Sequence, residues 1–191
     1  MEQKIQKQLQ GVEKNLEQSK VNLPVALKIK TAELILRLMN RRKNFGLFII
    51  LGWQKKWQGY LDIADSQQDI FADHHVHIMN IESEKNHRHD VSATTNFDGA
   101  ILIDKQGTVI HSGVFIEGLR PRAIAERLNP GKFYDLSEQF GFAKKVHARH
   151  LAAISASYVF KNTTVFTVSE ENNSFHIFEG GKIVHHREAP L

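Results

Sequence analysis

Two short clusters in this chain carry residue types suited to a phosphate-rich ligand. Asp98-Gly99-Ala100 stands directly before the apolar run Ile101 to Ile103. The Asp98 carboxylate is a hard oxygen ligand for Mg2+ or Mn2+. Gly99 has no Cβ, so a phosphate or ribose can lie close to the main chain there. Ala148-Arg149-His150 stands near the expected start of a helix. Arg149 offers a planar fork of donors for phosphate oxygens and His150 a further donor. A helix N-terminus near Ala148 adds backbone amides and a favourable dipole. Taken singly, Asp-Gly before an apolar run is usually a turn, and Arg-His on a helix is usually surface decoration. A third cluster, His74-His75-Val76-His77 with His87-Arg88-His89, holds His-x-His pairs whose rings share one side of a strand and suit zinc. The barrel hydrolases built on such pairs need about 250 residues, more than this chain has. The expectation for these histidines is a polar, solvated insert near the ligand entrance.

The elements that must position these residues follow from periodicity. Ile5, Leu9, Val12 and Leu16 recur at spacings of four, three and four, one apolar stripe of an amphipathic helix. A second helix is expected after Asn22 as cap, with Pro24 in its first turn and Leu27, Ala32, Ile35, Leu36 and Met39 buried. Phe45 to Trp53 is nearly continuous in apolar residues and reads as a buried strand. Residues 98 to 116 read as a hairpin of strands AILID and VIHSGVFI, with Gly107 in the turn. A short helix over Arg120 to Leu128 stops before Asn129-Pro130-Gly131; Leu136 to Phe142 is a weaker helix candidate. Val146 to Phe160 is a further helix, with Ala152, Ala153, Ser155 and Ala156 permitting close packing. Thr164 to Ser169 and Phe175 to Phe178 form a last hairpin, followed by a strand from Lys182 to His185. The expected fold is α/β: a single domain with a central mixed sheet flanked by helices (44–191), preceded by an N-terminal helical extension (1–43).

Bulk properties narrow the function classes. The chain has 191 residues, 41% hydrophobic and 24% charged, which is ordinary for one globular domain. A net charge of +4 suits an anionic ligand but implies no nucleic-acid or membrane partner. The absence of cysteine excludes disulfides, thiolate metal sites and cysteine nucleophiles. The polar start MEQKIQKQLQ is unlike a secretory signal, and Phe45 to Trp53 is far short of the roughly 20 apolar residues that span a bilayer. A cytoplasmic location is expected.

In order and separation, the DGA segment and the ARHLAA segment resemble the diadenylate cyclase domain. That family carries DGA on a strand and an RHR-type motif, usually GTRHRAA, at a helix start. A strand ending in SEE, a hairpin and a small G-K-hydrophobic strand follow, as in VFTVSEENNSFHIFEGGKIV here. RRKNFGLFIIL also looks like the family's first core strand, and the resemblance covers about residues 30 to 185. It implies an enzyme joining two ATP into cyclic di-AMP and two pyrophosphates with Mg2+ or Mn2+. It further implies Asp98, Arg149 and His150 as catalytic residues, and Gly99, Ala100, Ile116, Ala148 and Ser169 around the nucleotide. Of these, Ile116 falls where the family contacts adenine and Ser169 where it lines the phosphates. Asp98 would bind the metal, with Glu170 in support. Because each subunit holds one ATP, a homo-oligomer is implied. The N-terminal helices would set the arrangement of its subunits. The chain departs from the pattern at His147-Ala148, where Gly-Thr is usual, and at Leu151, where a second arginine is usual. Loss of one charged donor to phosphate costs on the order of 1.5–3 kcal/mol. The alternative is a sensor that binds ATP or an adenine dinucleotide without turnover.

Overall fold

The apolar stripe of the first helix is fully used. In the computed structural model, which describes residues 2–42, 44–63, 66–81, 99–131 and 148–187, α1 spans Glu2–Glu17. It buries Ile5, Leu9, Val12 and Leu16, none more than 4% exposed. Helix α2 (Val25–Arg41) buries the five apolar residues expected of it, and Lys28 with them. Its start differs from expectation. Pro24, not Asn22, flanks the first turn, and no side chain caps it. Proline at φ −55° presets the helical entry without a capping oxygen.

The sheet comprises β1 (Leu47–Trp53), β2 (Leu61–Asp62), β3 (Val76–His77), β4 (Ala100–Asp104), β5 (Thr108–Ile116), β6 (Thr164–Val168), β7 (Phe175–Glu179) and β8 (Lys182–Arg187). Their order is β2-β5-β4-β1-β6-β7-β8, with β3 pairing β5. Strand β1 is central, parallel to β4 and antiparallel to β6. All seven of its residues are buried, which accounts for the unbroken apolar run. Leu47, Ile49 and Leu51 join α1 and α2 on one face, together with Ile101, Phe166 and Phe175. Phe48, Ile50 and Trp53 face the other layer, formed by α3 (Pro121–Leu128) and α4 (Ala148–Val159). Each such side chain contributes roughly 1.5–3 kcal/mol on burial. Ala153, Ser155 and Ala156 of α4 are buried, and their small size brings the helix close to the sheet.

The N-terminal helical part is thus one layer of a three-layer α/β/α domain, and a polar bolt holds it there. Lys28 Nζ lies 3.0 Å from Glu179 Oε1 and 2.6 Å from Ser19 Oγ. Thr164 Oγ1 donates to Glu179 Oε1 at 2.7 Å, and Ser19 Oγ donates to Oε2 at 2.5 Å. Both helices are thereby tied to β6 and β7 at one end of the sheet.

The histidine-rich segment is only partly within the described residues, which include His74 to His77 but not His87 to His89. Val76 pairs with Val109, and His77 Nε2 lies 2.7 Å from Gln106 O at the β4–β5 turn. That turn is at the opposite end of β4 from Gly99. The first histidines therefore do not flank the expected ligand entrance. The backbone geometry gives the reason: His77 Nδ1 accepts from Met79 N at 3.2 Å, so the ring braces two turns. Leu136 to Phe142 and the residues 146 and 147 also lie outside the described residues.

Candidate functional site

The mixed sheet brings distant segments to one edge. Ile49 is opposite Ile101 in parallel register, so counting back sets Leu47 beside Gly99. Leu47 is opposite Val168 in the antiparallel direction, so the next residues outward are Gly46 and Ser169. The start of β1, the start of β4 and the end of β6 thus share one edge, with strands roughly 5 Å apart. β5 ends there too, because Ala100 pairs with Val114 and Ile116 lies two residues further.

Arg149 reaches this edge from α4. A Cβ placed on Gly46 would come within 2.6 Å of Arg149 Cζ and 2.7 Å of Nη1, and closest of all to Nη2. The guanidinium therefore lies directly against the Gly46 backbone. Among the described residues, no carboxylate pairs with it. Arg149 also stands in the first turn of a helix, where the dipole favours anions. A cation there is disfavoured by about 0.3–1 kcal/mol until an anion joins it. No acidic residue occupies that turn.

The remaining expected site residues divide. Ser169 is 6% exposed, and its amide closes the β6–β7 hairpin by donating to Ser174 O at 2.9 Å. Glu170 is exposed in the following turn. Ile116 is half-buried and pairs with Leu61. Ala100 is fully buried, backbone included. Ala148 is the first residue of α4. Asp98, one residue before Gly99, lies outside the described residues.

Two of the expected site residues have packing roles. Gly99 was expected to leave room for a ligand, yet a Cβ there would meet Val114 O at 2.7 Å and Gly113 C at 2.8 Å. With φ at +95°, glycine is required by the crossing β5 backbone and by the left-handed turn into β4. His150 was expected as a donor to phosphate, but it is 5% exposed and turned inward. Its ring meets His176 edge-on, centroids 4.7 Å apart at 73°, with Phe178 at 6.3 Å. Imidazole is apolar enough in body to serve as core, and here it seats α4 on β7.

His176 was not foreseen. Burial, reinforced by the nearby His150, His186 and His185, pushes it down from 6.5 to about 3. Burial also lowers His185 to about 4, with help from His186 and Arg187. Both rings are neutral at pH 7. Gly46 was also missed. Its signal was a glycine at the entry to an otherwise apolar strand, which often marks a close approach by another group.

No family model matches the chain, and no curated protein does. Solved structures include two partial likenesses. One is a hypothetical membrane spanning protein from Bacillus cereus, with TM-score 0.48 and 16% identity over 86% of this chain. This chain covers 63% of that protein's length. The other is DacA from Staphylococcus aureus, in a double mutant, with TM-score 0.47 and 19% identity over 85% of each chain. Among the described residues here, no helix is long and apolar enough to cross a membrane.

Among the described residues no three His, Asp or Glu side chains cluster.

Proposed function

We propose that this chain binds ATP at the edge shared by β1, β4 and β6 and is a diadenylate cyclase. The observation that supports this reading is the convergence of four segments. Gly99, Gly46, Ser169 and an Arg149 that no carboxylate pairs among the described residues meet at one end of the sheet. Arg149 holds phosphate oxygens with its fork of donors, and the α4 amides add to that hold. Ser169 borders the phosphates, and the half-buried Ile116 borders the adenosine, with Ala100 buried beneath. Mg2+ or Mn2+ would be held by Asp98, with Glu170 in support, and supplies neutralisation of phosphate charge. The 3′-hydroxyl oxygen of one ATP bonds to the α-phosphorus of another while the bond to pyrophosphate breaks and the hydroxyl proton leaves. Repeating the step in reverse sense closes the ring and releases the second pyrophosphate. Two ATP require two copies of the site, so the active form is a homo-oligomer.

A second reading is favoured by Leu151, which carries no charge where the resembling family has another arginine. In that reading the protein senses ATP or an adenine dinucleotide without turnover. Incubation with ATP and Mn2+, followed by chromatography, separates the two. Cyclic di-AMP that disappears in Asp98→Asn supports the enzyme, and ATP binding without product supports the sensor. A protein that neither binds nor converts ATP sinks both.

A further inference from the structure

We infer that Gly46 is a positioning residue whose missing side chain sets where the Arg149 guanidinium lies. The functional consequence rests on the reading just given, in which Arg149 receives phosphate.

Glycine can be required by backbone angle, by a neighbouring backbone or by a neighbouring side chain. Gly99 illustrates the first two, with φ at +95° and the β5 main chain in the way. Gly46 has no left-handed φ, so any residue can adopt its backbone conformation. The nearest obstacles to a Cβ at 46 are three atoms of one side chain, the Arg149 Nη2, Cζ and Nη1. The group that claims the space is the tip of a long, flexible arginine. A methyl group at 46 displaces that tip and leaves β1 in place.

The location gives this contact its meaning. Gly46 immediately precedes Leu47, which lies beside Gly99 on one flank, and is itself level with Ser169 on the other. The glycine therefore forms a floor on which the guanidinium rests between the two flanking strands. Without the floor, the guanidinium must rise or swing aside. Its donors then no longer address the same point in space. Bidentate recognition of phosphate is sensitive to such a shift because both donors must align together.

The test is Gly46→Ala, compared with Arg149→Ala and with the double substitution. The expected result is a change in melting temperature of less than about 4 °C. ATP binding, measured by calorimetry with Mg2+, should weaken about ten- to a hundredfold, matching Arg149→Ala. In the Arg149→Ala background, Gly46→Ala should then add nothing, because its target is gone. Equal weakening in both backgrounds, or unaltered binding by Gly46→Ala, overturns the inference.

A readout independent of ATP separates this inference from the functional reading. Phenylglyoxal reacts with accessible guanidinium groups, and peptide mass spectrometry reports the rate at Arg149. Gly46→Ala should change that rate at least threefold. Such a change upholds the positioning role even if the wild-type protein ignores ATP, an outcome that removes only the proposed function. An unchanged rate overturns the positioning role even if the protein makes cyclic di-AMP.

Discussion

The two ends of the β6–β7 hairpin treat positive charge in opposite ways. At one end Lys28 is fully buried, and its ammonium meets Glu179, Ser19 and the Val21 carbonyl. At the other end Arg149 is half-buried against a glycine backbone, with no carboxylate pairing it among the described residues. The first cation is surrounded because leaving it unpaired in the interior would cost several kcal/mol. The second lies in a helix turn that repels it. Under the proposed function an anionic ligand offsets that unfavourable placement. The contrast teaches that two buried or half-buried cations beside one sheet can differ in their partners among the described residues, and under the proposed function Arg149 receives its partner from the ligand.

The comparison can be broken most forcefully at Lys28. Removing one partner, as in Lys28→Met or Glu179→Leu, should destabilise the protein by about 3–5 kcal/mol in urea unfolding, with the double replacement recovering much of the loss. Single variants as stable as wild type would remove the structural label from this pair. At Arg149 the expectation reverses. Arg149→Ala should weaken ATP binding by roughly 1.5–3 kcal/mol. Its unfolding free energy without ligand should stay level or rise by about 0.3–1 kcal/mol, because an unfavourable dipole contact is gone. A drop in stability as large as at Lys28 would erase the distinction between the two ends.

The histidines behind Arg149 sharpen the comparison through pH. His176 is depressed to about 3 in the folded chain, against an ordinary 6.5 when unfolded. Between these values the unfolded state binds more protons, so stability is complete above pH 6.5 and declines as pH falls toward 3. The slope approaches about 1.4 kcal/mol per pH unit for this ring alone. His185, lowered to about 4, adds loss of the same sign. Urea midpoints at pH 7, 5 and 4 measure it, and His176→Phe should flatten the profile. A wild-type midpoint constant across that range contradicts neutral burial of the ring.

Periodic features were legible in the sequence because burial follows local spacing. The stripe of α1, the unbroken apolar β1 and the two hairpins are all of this kind. Side-chain partnerships between remote segments were not. Lys28 reads as solvated beside an apolar stripe, since the carboxylate that accepts it lies 151 residues away. The function of Gly46 depends on an arginine in another element, so its neighbours in sequence reveal only a glycine. Gly99 is singled out by its missing side chain, but the β5 crossing that also requires it appears only once the hairpin is folded. The inward turn of His150 was hidden for a similar reason. An imidazole reads as a donor until Phe178 and His176 are seen to surround it.

The layer made by α1 and α2 has a bearing on how this protein can be shortened. Cutting the chain at residue 43 would leave Phe45, Leu47, Ile49, Phe166, Phe175 and Ile177 on a bare, water-facing β-surface. Such a surface attracts its own kind. A fragment of residues 44–191 should therefore precipitate or associate face to face, and clumping by that fragment would say nothing about the native assembly.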